Sequence, residues 1–297
     1  MHKYLRAIGF SELKTRKDFE QLTEYIIQNA ESKTYVEKDS SYVLTEYRKS
    51  FGDNMGIIVN GEYDAENKFY FNYAFPYLNG DGITSEEDIT IERHAEKESY
   101  AGVCDDIKVG VILIFYLQNC ISYMRTEKAG LLPLKGTTLT LSALSCDGMI
   151  MMPIVKNENE KERIKKVSNN RNKLIAAARN GDEDAIESLT LEDMDTYTVI
   201  SRKIHKEDVF SLVDSYFMPY GVESDKYSIL GEILDVRTVM NSYTQEEVYQ
   251  LTLDCNELIF DICINKKDLL GEPKEGRRFK GNIWLQGNVN FPDFPPN

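Results

Sequence analysis

Apolar and polar positions change their period several times along this chain, and the changes mark out its elements. Residues 109–117, VGVILIFYL, are nine uncharged residues between Asp105-Asp106 and Gln118-Asn119. A short apolar run bounded by polar residues, with β-branched Val111, Ile112 and Ile114, predicts a strand buried on both faces. A buried helix over 109–124 is the competing reading, and a helical turn at 119–125 stays open. The run is too short to cross a bilayer, which needs ~20 apolar residues.

Before this strand, residues 11–29 show helical spacing through Leu13, Phe19, Leu22, Ile26 and Ile27, with Ser11 as a possible cap. Residues 42–51, 55–63 and 68–77 alternate as strands, the last two around a turn at 64–67. Asn79-Gly80-Asp81-Gly82 is a strong turn signal. Residues 89–103 read as one long polar strand. After Gly130, runs at 137–144 and 149–155 flank Cys146-Asp147-Gly148, and Asp-Gly between alternating runs predicts a hairpin.

The pattern changes at Lys156. Residues 156–172 are nearly all polar and predict a solvated helix from about Glu158. Residues 173–191 read as two short helices, with Gly181 closing the first and Asp182 capping the second. Residues 205–216 have helical spacing, ended by Pro219 and Gly221. From Tyr227 the period returns to two. Strands are predicted at 229–239, 248–255 and 258–264, with a tight link at Asn256, and at 280–291. In the last, Ile283, Leu285, Val289 and Phe291 share one face, and Trp284, Gln286, Asn288 and Asn290 the other.

The fold class this implies is α+β. A mixed or antiparallel sheet domain is expected over 1–156, a helical connector over 157–217, and a small antiparallel β-barrel-like domain of the OB or SH3-like sort over 218–297.

Charge narrows the function classes. Asp plus Glu number 49 against 35 Lys plus Arg, a formal net charge of −14. That sign repels phosphate backbones and anionic membrane surfaces, so nucleic acid is an unlikely partner and no membrane association is expected. The five cysteines are odd in number and show no C-x-x-C spacing, which fits a reducing compartment. With no apolar leader at the start, the expected location is cytoplasmic.

Candidate chemistry is sparse. His2, His94 and His205 are widely separated and no H-E-x-x-H occurs, so no metal is expected. The segment NGDGITSEED lacks alternating calcium ligands and reads as a turn. Cys104 precedes two aspartates, which oppose a reactive thiolate, and Cys146 sits in no nucleophile elbow. No phosphate-cradling glycine loop is present, and no cofactor is expected. The densest cluster is GEPKEGRRFKGNIWLQGNVNF at 271–291, where Arg277, Arg278 and Lys280 lie near the only Trp. On a barrel such a cluster suits single-stranded nucleic acid or a nucleotide. Residues 227–297 hold seven basic against eleven acidic residues, however, so arginines paired with nearby acids are the stronger reading.

The passages AARNGDEDAIESLTLEDMDTY, DSYFMPYGVESDKYSILGEI and GEPKEGRRFKGNIWLQG, with the opening HKYLRAIGF, resemble a family of uncharacterised proteins from anaerobic Gram-positive bacteria. The resemblance spans the chain and implies a bacterial cytoplasmic protein. It carries no activity to transfer.

The functional expectation is an interaction or regulatory module that binds a protein partner or a second copy of itself. Its contact surface would comprise Arg277, Arg278, Lys280, Trp284 and Gln286, with Trp284 as an aromatic anchor among polar neighbours. The enzyme alternative is a hydrolase pairing carboxylates with His94 or His205. The remaining alternative is nucleic-acid or nucleotide binding through the barrel.

Overall fold

The computed structural model describes residues 2–37, 42–93, 99–106, 112–132, 136–154, 158–204 and 213–292. Strands dominate, in two sheets, and the architecture is α+β with a closed barrel.

The first sheet is an antiparallel meander of β1 (Ser32–Glu37), β2 (Val43–Gly52), β3 (Met55–Tyr63) and β4 (Phe69–Leu78). Sequence pattern placed β2, β3 and β4 and missed the short, mostly exposed β1. Helix α1 (Arg16–Gln28) covers one face with Leu22 and Ile26. Its cap is Thr15, not Ser11. The Thr15 hydroxyl accepts from the Asp18 amide and the Asp18 carboxylate accepts from the Thr15 amide, a reciprocal capping box. Ser11 instead turns inward and donates to Glu246 Oε1 at 2.6 Å.

The second sheet holds ten strands, five of which close on themselves. Strands β8 (Thr138–Met151), β10 (Lys226–Met240), β11 (Glu247–Cys255), β12 (Leu258–Asn265) and β14 (Arg278–Asn290) run in the order β8-β12-β11-β10-β14, and β14 returns to β8. Only the β8–β12 pair in the ring is parallel. Alternation sends Phe260, Ile262, Phe279, Ile283 and Leu285 to its fully buried interior. The barrel is not confined to residues 218–297, because β8 comes from before the helical segment. The small β13 (Leu269–Leu270) and β9 (Tyr216–Pro219) attach to β8 and β10.

Outside the ring, β7 (Leu113–Leu117) adds in parallel to the second half of β14, followed by β6 (Tyr100–Cys104) and β5 (Ile89–Arg93). The described part of the 109–117 run is thus an interior strand, between β14 and β6. Leu113, Phe115 and Leu117 are buried, but Ile114 and Tyr116 are half-buried, and residues 109–111 lie outside the described ones. Phe115 lies across two glycines: a Cβ on Gly102 or Gly287 would come within 2.0 or 2.5 Å of its ring. The turn left open at 119–125 is a full helix, α2 (Cys120–Lys128).

Three further expectations are corrected. Residues 89–103 are not one strand but β5 and β6, an antiparallel pair. Their inward positions fall out of phase, odd in β5 and even in β6, which a single strand cannot do. Cys146-Asp147-Gly148 is no hairpin turn. β8 runs straight through it as a bulge, with Asn282 opposite Asp147 and Ile283 opposite Ser145. The Asp147 carboxylate takes the Asn282 amide at 3.0 Å, and Ser145 Oγ donates to the Asn282 carbonyl at 2.8 Å. Finally, residues 216–219 are the strand β9 and not a helix end; the expected helix over 205–212 falls outside the described residues.

The helical segment starts at Glu158, as the polar run predicted, but its helices are longer than the two short ones read over 173–191. α3 (Glu158–Arg179) and α4 (Glu183–Ile204) have 22 residues each. The break is where the sequence put it. Gly181 adopts φ +86°, and Asp182 Oδ1 accepts from the Ala185 amide at 3.1 Å. No helix among the described residues is long and apolar enough to cross a membrane.

Candidate functional site

The outer face of β14 is where the predicted contact residues lie, and they do not form one site. Alternation puts Arg278, Lys280, Trp284 and Gln286 on the same side of the strand, as expected. Arg278 and Trp284 are six positions apart, ~20 Å along an extended strand. Arg278 is buried and donates to the carbonyls of Met152 at 3.0 Å and Val213 at 2.8 Å. Arg277 donates to the Glu272 carbonyl at 2.8 Å. Lys280 is half-buried between Leu230 and Met149 in the neighbouring strands.

Gln286 is fully buried. Its Nε2 donates to the Pro76 carbonyl at 2.8 Å, and its Oε1 accepts from Gln118 Nε2 at 2.8 Å and from the Leu78 amide at 3.3 Å. Gln118 and Ser142 also donate to the Leu78 carbonyl, at 2.9 and 2.6 Å. These amides and the hydroxyl join the meander to the barrel, so the role of Gln286 is in this join.

Trp284 is only 4% exposed. The chain's own N-terminal 3₁₀ turn, Lys3–Ile8, covers it. Tyr4 stacks on the indole with ring centres 5.4 Å apart, His2 lies at 4.4 Å, and Tyr116 of β7 approaches at 5.1 Å. The indole N–H donates to Asp225 Oδ2 at 2.7 Å. The turn is clamped to the barrel by Arg6, which donates twice to Asp268 at 2.5 and 2.7 Å, and by Asn241 Nδ2 donating to the Ile8 carbonyl at 2.7 Å.

Trp284 still contributes to the wall of a cleft of about 1080 Å³ between β4, β7 and the loop before β10. Six aromatic side chains line it: Tyr4, Phe71, Tyr73, Phe75, Tyr116 and Trp284. Phe75 meets Tyr116 edge-on at 4.7 Å, which continues the ring contacts from the barrel onto the meander. The charged lining groups are Glu62, Glu223, Asp225 and Lys226, with the Lys226 ammonium held by Glu223. Burial, helped by the Lys3 charge, lowers the Lys226 pKa.

Behind the cleft runs a polar row that sequence reasoning missed. Glu46 of β2 faces Asn60 of β3, and Asn60 faces Tyr73 of β4. Register partners share a face, so this row looks toward the barrel. Burial pushes the Glu46 carboxyl up to about 7, against the weaker opposing charge of Arg48. Asn60 Oδ1 is buried with no hydrogen-bond partner. Burial, reinforced by Tyr73, raises the Tyr116 hydroxyl well above the ordinary phenol range. The available signal was Glu46 sharing a strand face with apolar Leu44, together with the aromatic density of KFYFNYAFPY.

The thiols behave as the adjacent charges suggest. Burial, with Asp106 adding to it, pushes Cys104 up to about 11; burial and Asp268 push Cys146 up to about 12. Asp81 lies in a loop whose amide donates to buried Asp261 at 2.8 Å and whose carboxylate accepts from Arg237 at 3.2 Å, so NGDGITSEED is a pinned turn. Among the described residues no group of three or more His, Cys, Asp or Glu is placed to hold a metal. His94 and His205, the histidines of the hydrolase expectation, lie outside the described residues.

Comparison with known proteins yields one relationship. No curated protein and no solved structure matches the chain. A family model described as "Domain of unknown function, E. rectale Gene description (DUF3881)" matches residues 5–287, and the chain belongs to that family.

Proposed function

We propose that this member of the family is a small-ligand-binding protein whose site is the aromatic cleft between the meander and the barrel. The observation that carries the reading is the cleft itself: about 1080 Å³, lined by aromatic and polar residues side by side, at the junction of two sheets. Ligand sites favour concave junctions where aromatic walls meet convergent polar groups. Buried Glu46 and Asn60 behind the cleft support it, since buried groups kept without full compensation concentrate at functional sites.

The macromolecular readings have less support. A protein contact anchored on Trp284 needs that indole at the surface, and Tyr4 and His2 cover it. Nucleic-acid binding through Arg277, Arg278 and Lys280 needs available cations, and Arg278 is buried on two carbonyls in a chain of net charge −14. A reducing, cytoplasmic setting is part of the proposal, on the odd cysteine count without C-x-x-C spacing.

Trp284 is the only tryptophan, so its fluorescence reports on the cleft. A broad metabolite library screened by Trp emission and thermal shift should give a compound that changes both, with the effect reduced in Tyr73→Ala. A hit with undiminished affinity in that variant, or no hit across the library, overturns the reading.

A further inference from the structure

The cleft's lining combines ring faces with an excess of negative charge. Among the described residues that line it, Glu62, Glu223 and Asp225 stand against Lys226 as charged side chains, and the whole chain is acidic. Phosphate- or carboxylate-bearing ligands would therefore meet repulsion there. Aromatic rings offer the opposite preference, because their faces carry negative potential and attract cations.

The state of the carboxylates narrows the kind of cation. Asp225 already accepts the Trp284 N–H at 2.7 Å, and Glu223 holds the Lys226 ammonium. A primary ammonium or guanidinium entering the cleft brings several N–H donors, each costly to desolvate without an acceptor. An ammonium whose hydrogens are replaced by methyl groups brings none. It needs only apolar contact and a negative field, which the Tyr73 and Tyr116 rings and the acidic lining groups supply.

We propose that the cleft binds an organic cation bearing an alkylated ammonium group, packed against the Tyr73 and Tyr116 rings and held electrostatically by Glu62, Asp225 and Glu223. This rests on the reading of the cleft as a ligand site and adds the chemical class of the ligand. Phe71 is 45% exposed and the N-terminal half of β4 is an open sheet edge, so the cation has an entry from solvent.

The test is a Trp284 fluorescence titration of the full chain with choline and with its neutral carbon isostere, 3,3-dimethylbutan-1-ol. A short peptide carrying trimethyllysine is run alongside. Choline should bind saturably and about tenfold or more tightly than the isostere, the range expected of a partly desolvated cation–π contact. Glu62→Gln should weaken choline several-fold and leave the isostere unchanged. Tyr73→Ala, which removes a ring from the cleft wall, should weaken choline as well. Tighter binding of the peptide than of choline supports the same chemistry presented on a side chain. Isostere binding as tight as choline, or no saturable response to either cation, overturns the proposal. If a neutral or anionic library compound nevertheless binds in a Tyr73-dependent manner, the cleft remains a ligand site and only the cation class is lost. If no compound binds, both fall.

Discussion

The closed barrel and the four-stranded meander are both built of alternating strands, yet they treat polar groups on buried faces in opposite ways. The barrel interior is apolar, with Phe260, Ile262, Phe279, Ile283 and Leu285 fully buried. Where the barrel's outer wall meets the meander, Gln286 finds partners in Pro76, Leu78 and Gln118. The meander's barrel-facing side keeps Glu46 in a setting that holds its proton, and leaves Asn60 Oδ1 without a partner. A ring of strands has no edge, whereas the meander ends in β4, whose first half exposes Tyr70 and Phe71 at 45% each. The difference assigns tasks: the barrel supplies rigidity, and the meander supplies the surface where cost is tolerated and the cleft opens.

The sharpest way to break this contrast is to empty the barrel margin. Phe115→Ala removes a fully buried ring lying over Gly102 and Gly287, neither of which has a side chain to fill the space. A loss of about 3–5 kcal/mol in urea unfolding is expected. A loss below ~1 kcal/mol would mean that the β7–β14 seam adds little to stability.

On the meander, Glu46→Gln should act in the reverse direction and with pH. The folded carboxyl keeps its proton up to about 7, while an ordinary unfolded one ionises near 4.5. Stability from this group is full below the unfolded value, declines as pH rises through the window between the two, and is flat and lowest above it. The variant lacks that decline. It should gain on the order of 3 kcal/mol relative to wild type between pH 4 and pH 8, read as the difference between two urea-midpoint series. Parallel pH profiles would refute the buried-acid description.

Gln286→Ala tests the join between the two regions. It removes a partner from the Pro76 carbonyl, the Leu78 amide and Gln118 Nε2, while Gln118 keeps the Leu78 carbonyl. An expected cost of about 1–3 kcal/mol should appear with faster hydrogen exchange at the Leu78 amide, and unchanged exchange would show that other contacts hold the sheets together. The smallest effect belongs to Thr15→Ala. It removes one half of the α1 capping box on the solvent side of the meander and should cost about 1 kcal/mol in thermal unfolding, without altering Trp284 emission.

Much of the framework was legible because it is local. The boundaries of β3, the Gly181–Asp182 break and the two faces of β14 follow from side-chain alternation and from φ preferences, which neighbouring residues decide. The bulge at Cys146 was not legible, since Asp-Gly suits either a turn or a bulge. The choice came from β14, which pairs with β8 along both sides of that point. The cleft was legible only as aromatic density in KFYFNYAFPY. Glu46 looked like one solvated acid among 49.

The sequence by itself determined which face of β14 is apolar, where the helical hairpin breaks, and that the chain is acidic and rich in strands. Tertiary structure alone decided that β8 closes the barrel ahead of its sequence neighbours, that Arg6 reaches Asp268, and that Tyr4 and His2 cover Trp284. The reason is physical. Periodicity records the direction of successive side chains, but burial depends on which surfaces meet. Those meetings join residues more than two hundred positions apart, whose pairing no local pattern encodes.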